Sequence, residues 1–116
     1  MDPDNHVDPL ALIQDCFKIE DDDKAFACLV QTVARPKVPG VCAPQIVLLT
    51  QEGCEVCKEE KEAHRDEMSK GLIKEIDLQS QRGQQIAQAN GIDWTPALLI
   101  LDCNDHVIQP RGQDDA

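Results

Sequence analysis

From Gln45 onward the chain alternates short apolar runs with helix-patterned segments, and this alternation narrows the fold more than any other feature of the sequence. Ile46 to Leu49 (IVLL) suits a strand buried on both faces, and Leu72 to Leu78 (LIKEIDL) suits a second with partial alternation. Ala97 to Leu101 (ALLIL) is a third. His106 to Gln109 reads as a shorter fourth strand, joined to the third through the turn-prone Asp102 to Asp105 as an antiparallel hairpin. Between the first two runs lies Glu55 to Lys70, rich in Glu and Lys at helix-favouring spacings, with Gly71 as its C-cap. Ser80 to Asn90, ended by Gly91, fills the next gap. The order strand, helix, strand, helix, strand, strand predicts an α/β protein: helices packed on a central sheet, with right-handed crossovers between parallel strands.

Residues 1 to 44 are patterned differently. Leu10, Ile13 and Phe17, with Leu12 and Cys16, follow helical spacing, and Asp8 and Pro9 fit the N-cap and first helical positions. After the acidic turn Glu20 to Asp23, a second helical stripe runs through Phe26, Leu29, Val30 and Val33 and stops before Pro36. RPKVPGVCAP, with three prolines and a glycine, reads as a linker. The expected organisation is an N-terminal helical extension and linker over 1–44 and an α/β unit over 45–116, together forming one compact domain.

Charge and composition close off several function classes. The chain carries 22 acids against 11 bases, a formal charge of -11, and only three aromatics, Phe17, Phe26 and Trp94. Nucleic-acid binding needs clustered Lys and Arg and stacking surfaces, so neither nucleic acid nor an anionic membrane is an expected partner. No apolar run approaches the roughly 20 residues of a membrane span. The N-terminus MDPDNHVDP has neither a basic region nor an apolar stretch, so a cytoplasmic location is expected. In that compartment the six cysteines should be mostly reduced, and a close pair points to catalysis or metal binding before structure.

The close pair is Gly53-Cys54-Glu55-Val56-Cys57, where the first strand gives way to a helix. A thiol at a helix N-terminus meets unpaired N–H groups and roughly +0.5 of an elementary charge, both favouring thiolate. Two intervening residues let the second thiol reach back one turn and resolve a mixed disulfide. Cys54 is thus the candidate attacker and Cys57 the shielded resolver. Glu52, Glu55 and Glu59 lie within about a turn of Cys54, with Lys58 the only base nearby in sequence. Their field opposes the helix terminus, which predicts a stable disulfide and a reductant at least as strong as roughly -270 mV.

Pro96 stands just before the ALLIL strand in NGIDWTPALLIL, a setting that suits a cis X-Pro bond. Together, CxxC at a strand-to-helix junction, a helix ending in Gly91-Ile92 and proline before an apolar strand resemble the thioredoxin-like superfamily, over about residues 45–112. Glu75-Ile76-Asp77 and Gly112 fall in the matching order. The resemblance implies a thioredoxin-like central mixed sheet, with Cys54 as nucleophile, Cys57 as resolving thiol and Pro96 as the cis-proline. It further implies that Thr95 offers its backbone to an extended substrate. The activity implied is thiol-disulfide oxidoreduction, without a cofactor, on a disulfide-containing protein or small molecule, sustained by a reductase or thiol donor.

Several positions depart from the family pattern. Gly53 replaces the usual tryptophan, Glu55-Val56 replaces Gly-Pro, and Leu48 stands where many members bury an acid six residues before the first cysteine. Asp102-Cys103-Asn104-Asp105 lacks the turn that holds glutathione. The chain also ends where family members continue into a last helix, and the N-terminal helices are candidates to cover that face. Trp94 reads as a packing residue and His64 as a solvated helix residue. Cys16, Cys28 and Cys42 read as core or loop thiols, with pairing under oxidation the alternative. Cys54, Cys57, Cys103 and His106 form a formal zinc set, but their spacing places the last two at the opposite end of the sheet. The alternative from another functional class is a thioredoxin-fold interaction module with regulatory or non-catalytic thiols.

Overall fold

A computed structural model describes residues 8–110. Its elements are α1 (Pro9–Phe17), α2 (Asp22–Ala34), β1 (Gln45–Thr50), α3 (Glu55–Ala63), α4 (Arg65–Ser69), β2 (Ile73–Asp77), α5 (Gln81–Asn90) and β3 (Ala97–Leu101). The expected α/β class with flanking helices holds among these residues. Gly112, assigned above to the end of the family-like region, lies outside them.

The strands form a mixed sheet in the order β2-β1-β3. β1 pairs in parallel with β2, Ile46 against Ile73 and Thr50 against Asp77. It pairs antiparallel with β3, Gln45 against Leu101 and Leu49 against Ala97. β1 is therefore the central strand, and Ile46 to Leu49 are at most 1% exposed. Each large side chain so buried contributes about 1.5–3 kcal/mol.

Alternation along β1 builds two cores. Val47 and Leu49 pack with Ile86 and Ala87 of α5 and with Ile92, Ala97, Leu99 and Leu101. Ile46 and Leu48 face the other way and pack with Ile73 and with Ile13, Cys16 and Leu29 of the N-terminal helices. The N-terminal helices thus pack on one face of the sheet.

Caps explain most boundaries. Asp8 accepts from the Leu10 N–H at 3.0 Å, and Asp21 accepts from Asp23 and Lys24 at 2.9 and 3.1 Å. Ser80 caps α5 by accepting from the Gly83 N–H at 3.0 Å. Gly83 is demanded by packing, since a Cβ there would collide with the Asp77 carbonyl oxygen and stand 3.0 Å from the Leu78 Cα.

Two expected elements differ. The helix expected over 55–70 breaks at His64, whose backbone (φ -114, ψ 22) leaves the helical region between α3 and α4. The His64 ring is not solvated: it packs on Phe26 at 5.1 Å between centroids, and Nε2 lies 3.5 Å from Glu60. The break directs Met68 of α4 into the core shared with α1 and α2. The fourth strand shrinks to a single bridge, Leu101 to Val107. Asn90 takes up the backbone polar groups there, accepting from the Val107 N–H at 2.9 Å and donating to the Asp105 carbonyl at 3.0 Å.

The cysteines depart most from expectation. All six are paired, Cys16 with Cys28, Cys42 with Cys103 and Cys54 with Cys57. Cys16–Cys28 ties α1 to α2 across a 12-residue separation, and Cys42–Cys103 ties the linker to the chain beyond β3 across 61. Cys16 and Cys28 lie on the facing apolar stripes of a helical hairpin, which brings their Cα atoms to 5.6 Å. Cys42 precedes β1 and Cys103 follows β3, and the antiparallel register leaves their Cα atoms 5.4 Å apart. Three disulfides do not fit a reducing cytoplasm. No helix among the described residues is long and apolar enough to cross a membrane.

Candidate redox site

The central strand β1 delivers the chain to the site. Beyond Thr50, residues 51–54 turn sharply, with the Cys54 N–H donating to the Gln51 carbonyl at 3.2 Å. Gly53 sits at φ 83, a backbone region that disfavours side chains, so the turn depends on glycine. Cys54 is the N-cap of α3: its Sγ accepts from the Cys57 N–H at 3.0 Å. A negative charge on that sulfur therefore has both a backbone donor and a helix terminus to stabilise it.

The two sulfurs are unequal. Cys54 is partly exposed, whereas Cys57, one turn inside α3, is 2% exposed. Their Cα atoms lie 5.2 Å apart within the disulfide. An incoming thiol or disulfide meets Cys54 first.

Thr95 and Pro96 arrive from β3. Because Leu49 pairs with Ala97, the residues before β3 stand beside those after β1. The Thr95–Pro96 bond is cis. Thr95 Oγ1 donates to Gln51 Oε1 at 3.3 Å, tying the loop that carries Pro96 to the loop that carries Cys54. The structure thus brings Cys54, Cys57, Thr95 and Pro96 to one end of the sheet. Trp94, expected to pack, is 54% exposed there, as is Val56 between the cysteines.

A hollow of about 510 Å³ beside the disulfide includes Cys54, Cys57, Thr50, Lys61 and Glu75 in its walls. Thr50 Oγ1 donates to Glu75 Oε2 at 2.7 Å, and Lys61 Nζ lies 3.2 Å from the same oxygen. Leu48 is fully buried in the core, and the carboxylate lining the hollow comes instead from Glu75 on β2, which is exposed. Sequence reasoning missed this group: Lys61 is seven residues from Cys54 and Glu75 is on another strand. No local signal marks it: the parallel register sets Glu75 against Leu48, two residues before the end of β1 and within reach of Thr50. Of the acidic neighbours of Cys54, Glu55 faces a cation, with Lys58 Nζ 3.5 Å away.

The other candidates lie elsewhere. Cys103 and His106 follow β3 at the end of the sheet remote from Cys54, and Cys103 Sγ is bonded to Cys42. Among the described residues no group of three or more His, Cys, Asp or Glu side chains could hold a metal ion. No protein-family model, curated protein or solved structure matches the chain.

Proposed function

We propose that this protein is a thiol-disulfide oxidoreductase of thioredoxin-like architecture that reduces protein or small-molecule disulfides through Cys54 and Cys57. The observation that carries the reading is the asymmetry of the pair: a partly exposed sulfur at the N-cap of α3 and a 2% exposed sulfur one turn inside it. In the reduced form the Cys54 thiolate attacks one sulfur of a substrate disulfide. A mixed disulfide forms and the other substrate sulfur leaves as a thiolate, which takes a proton. The Cys57 thiol loses its proton and attacks Cys54 Sγ, forming Cys54–Cys57 and releasing the second substrate thiol. Two electrons and two protons pass to the substrate, and an external dithiol or thiol donor restores the pair.

Docking is assigned to Thr95 and Pro96, where an extended segment pairs through main-chain hydrogen bonds, with Trp94 and Val56 as an exposed apolar rim. The cytoplasmic location expected from the N-terminus requires Cys16–Cys28 and Cys42–Cys103 to resist the cellular thiol pool. Alkylation of free thiols at the moment of lysis tests the pairing itself: two protected disulfides support it in the cell, and four free thiols from these pairs refute it there.

The test of function is trapping. Cys57→Ser should accumulate reducible adducts through Cys54, and Cys54→Ser should form none. Insulin reduction should fall in both. Equal turnover by wild type and Cys54→Ser would overturn the enzyme reading in favour of an interaction module.

A further inference from the structure

The linker between α2 and β1 walls two adjoining hollows far from the cysteine pair. One, about 520 Å³, has Arg35 and Lys37 of the linker, Lys74 of β2 and Cys103 in its walls. The other, about 220 Å³, is mainly aliphatic, with Val33, Pro36, Val38 and Val41. Val33, Arg35, Lys37 and Val41 border both, so the two are parts of one groove.

Its charge is opposite to that of the molecule. The chain carries 22 acids, yet among the described residues no Asp or Glu borders either hollow. Lys18, Lys58, Lys61, Arg65 and Arg82 each have a carboxylate within ion-pair distance. Arg35, Lys37 and Lys74 have none among the described residues. Beside them Val38 and Val41 remain 50% and 40% exposed. Unpaired cations and half-exposed aliphatic side chains lining the same groove call for a ligand with both acids and apolar groups.

We propose that this groove binds an extended acidic segment of a partner protein, its carboxylates on Arg35, Lys37 and Lys74 and its aliphatic side chains on Val38 and Val41. None of the three aromatic residues borders the groove, so a nucleobase finds no stacking surface. A second copy of the chain would set two strongly acidic surfaces within a Debye length of each other. A short segment brings only its own charges to the bases, and beyond about 8 Å the rest of the surface is screened at physiological salt. The groove lies before β1 and the cysteine pair after it, so six residues of strand, roughly 20 Å, separate them. A partner seated in the groove leaves Cys54 open.

The experiment is fluorescence anisotropy on the full oxidised chain. The probe is a fluorescein-labelled seven-residue peptide alternating Asp or Glu with Leu or Val, compared with its Asn/Gln counterpart. The acidic peptide should bind at least ten-fold more tightly and weaken as sodium chloride rises from 50 to 300 mM. Lys74→Glu and Lys37→Glu should each weaken it three-fold or more, and Val41→Asp should do so with every base intact. Lys24→Glu, which removes an unpaired base outside the groove, should change affinity less than two-fold. Far-UV circular dichroism and insulin reduction should match wild type in all variants, separating this site from the cysteine pair. Equal affinity for the two peptides, or equal loss in Lys24→Glu and Lys74→Glu, would overturn the proposal. So would a dimer in sedimentation that Lys74→Glu dissociates, because the groove would then belong to a second copy.

Discussion

Replacing Cys42 and Cys103 together by alanine isolates what a long covalent closure contributes to this fold. The bond joins residues 61 apart, and a chain-entropy treatment of a loop that long gives roughly 4 kcal/mol of stabilisation. Little else is lost at the site. Cys103 is exposed and Cys42 only partly buried, so removing the sulfurs opens no core cavity, and the Cys103 N–H that donates to Cys42 Sγ at 3.1 Å can turn to water. The double variant should therefore unfold in urea at a lower midpoint with a stability loss near ~4 kcal/mol, or a Tm lower by roughly 15 °C. Its insulin reduction at 25 °C should match wild type, because the bond lies at the far end of β1 from Cys54. Equilibrium unfolding followed by circular dichroism, on protein whose other two disulfides are verified by mass, measures it. A midpoint shift worth less than 1 kcal/mol would refute the closure argument, and a loss of turnover in the folded variant would refute the separation of structural from redox cysteines.

Three further changes test particular contacts. Gly83→Ala, although favourable by helix propensity, should destabilise by roughly 2 kcal/mol because its Cβ meets the Asp77 backbone, as chemical denaturation would show. Asn90→Ala strands the Val107 N–H and the Asp105 carbonyl, and should cost about 2 kcal/mol while raising amide exchange across residues 102–107. Glu55→Gln removes a negative charge one residue from Cys54. It should make the pair more oxidising by only roughly 10 mV in a glutathione titration, because Glu55 is exposed and already faces Lys58.

The parts of the fold that follow from local chemistry were legible in the sequence. Asp8 and Pro9 open α1, Pro36 follows the end of α2, and ALLIL is β3 residue for residue. The strand-to-helix setting of Cys54 was equally visible. What escaped depends on pairing between distant segments. Nothing local to Cys42 or Cys103 reveals their bond, which needs the antiparallel register of β1 and β3. Glu75 reaches the site through the parallel register of β1 and β2, and His64 interrupts a sequence patterned for one helix because its ring packs against Phe26. The general tendency of tryptophan to pack also misplaced Trp94: it stands in a loop held to the site by Thr95 and Gln51, where over half of it faces solvent.

The central claim is that one disulfide of three is redox-active, and a graded titration tests it directly. The protein is equilibrated anaerobically in dithiothreitol buffers of stepped potential, alkylated, digested and assigned by mass to each pair. Cys54–Cys57 should open at a potential near roughly -270 mV, while Cys16–Cys28 and Cys42–Cys103 persist below about -300 mV. Opening of Cys42–Cys103 before Cys54–Cys57, or release of all three in one step, would contradict the account.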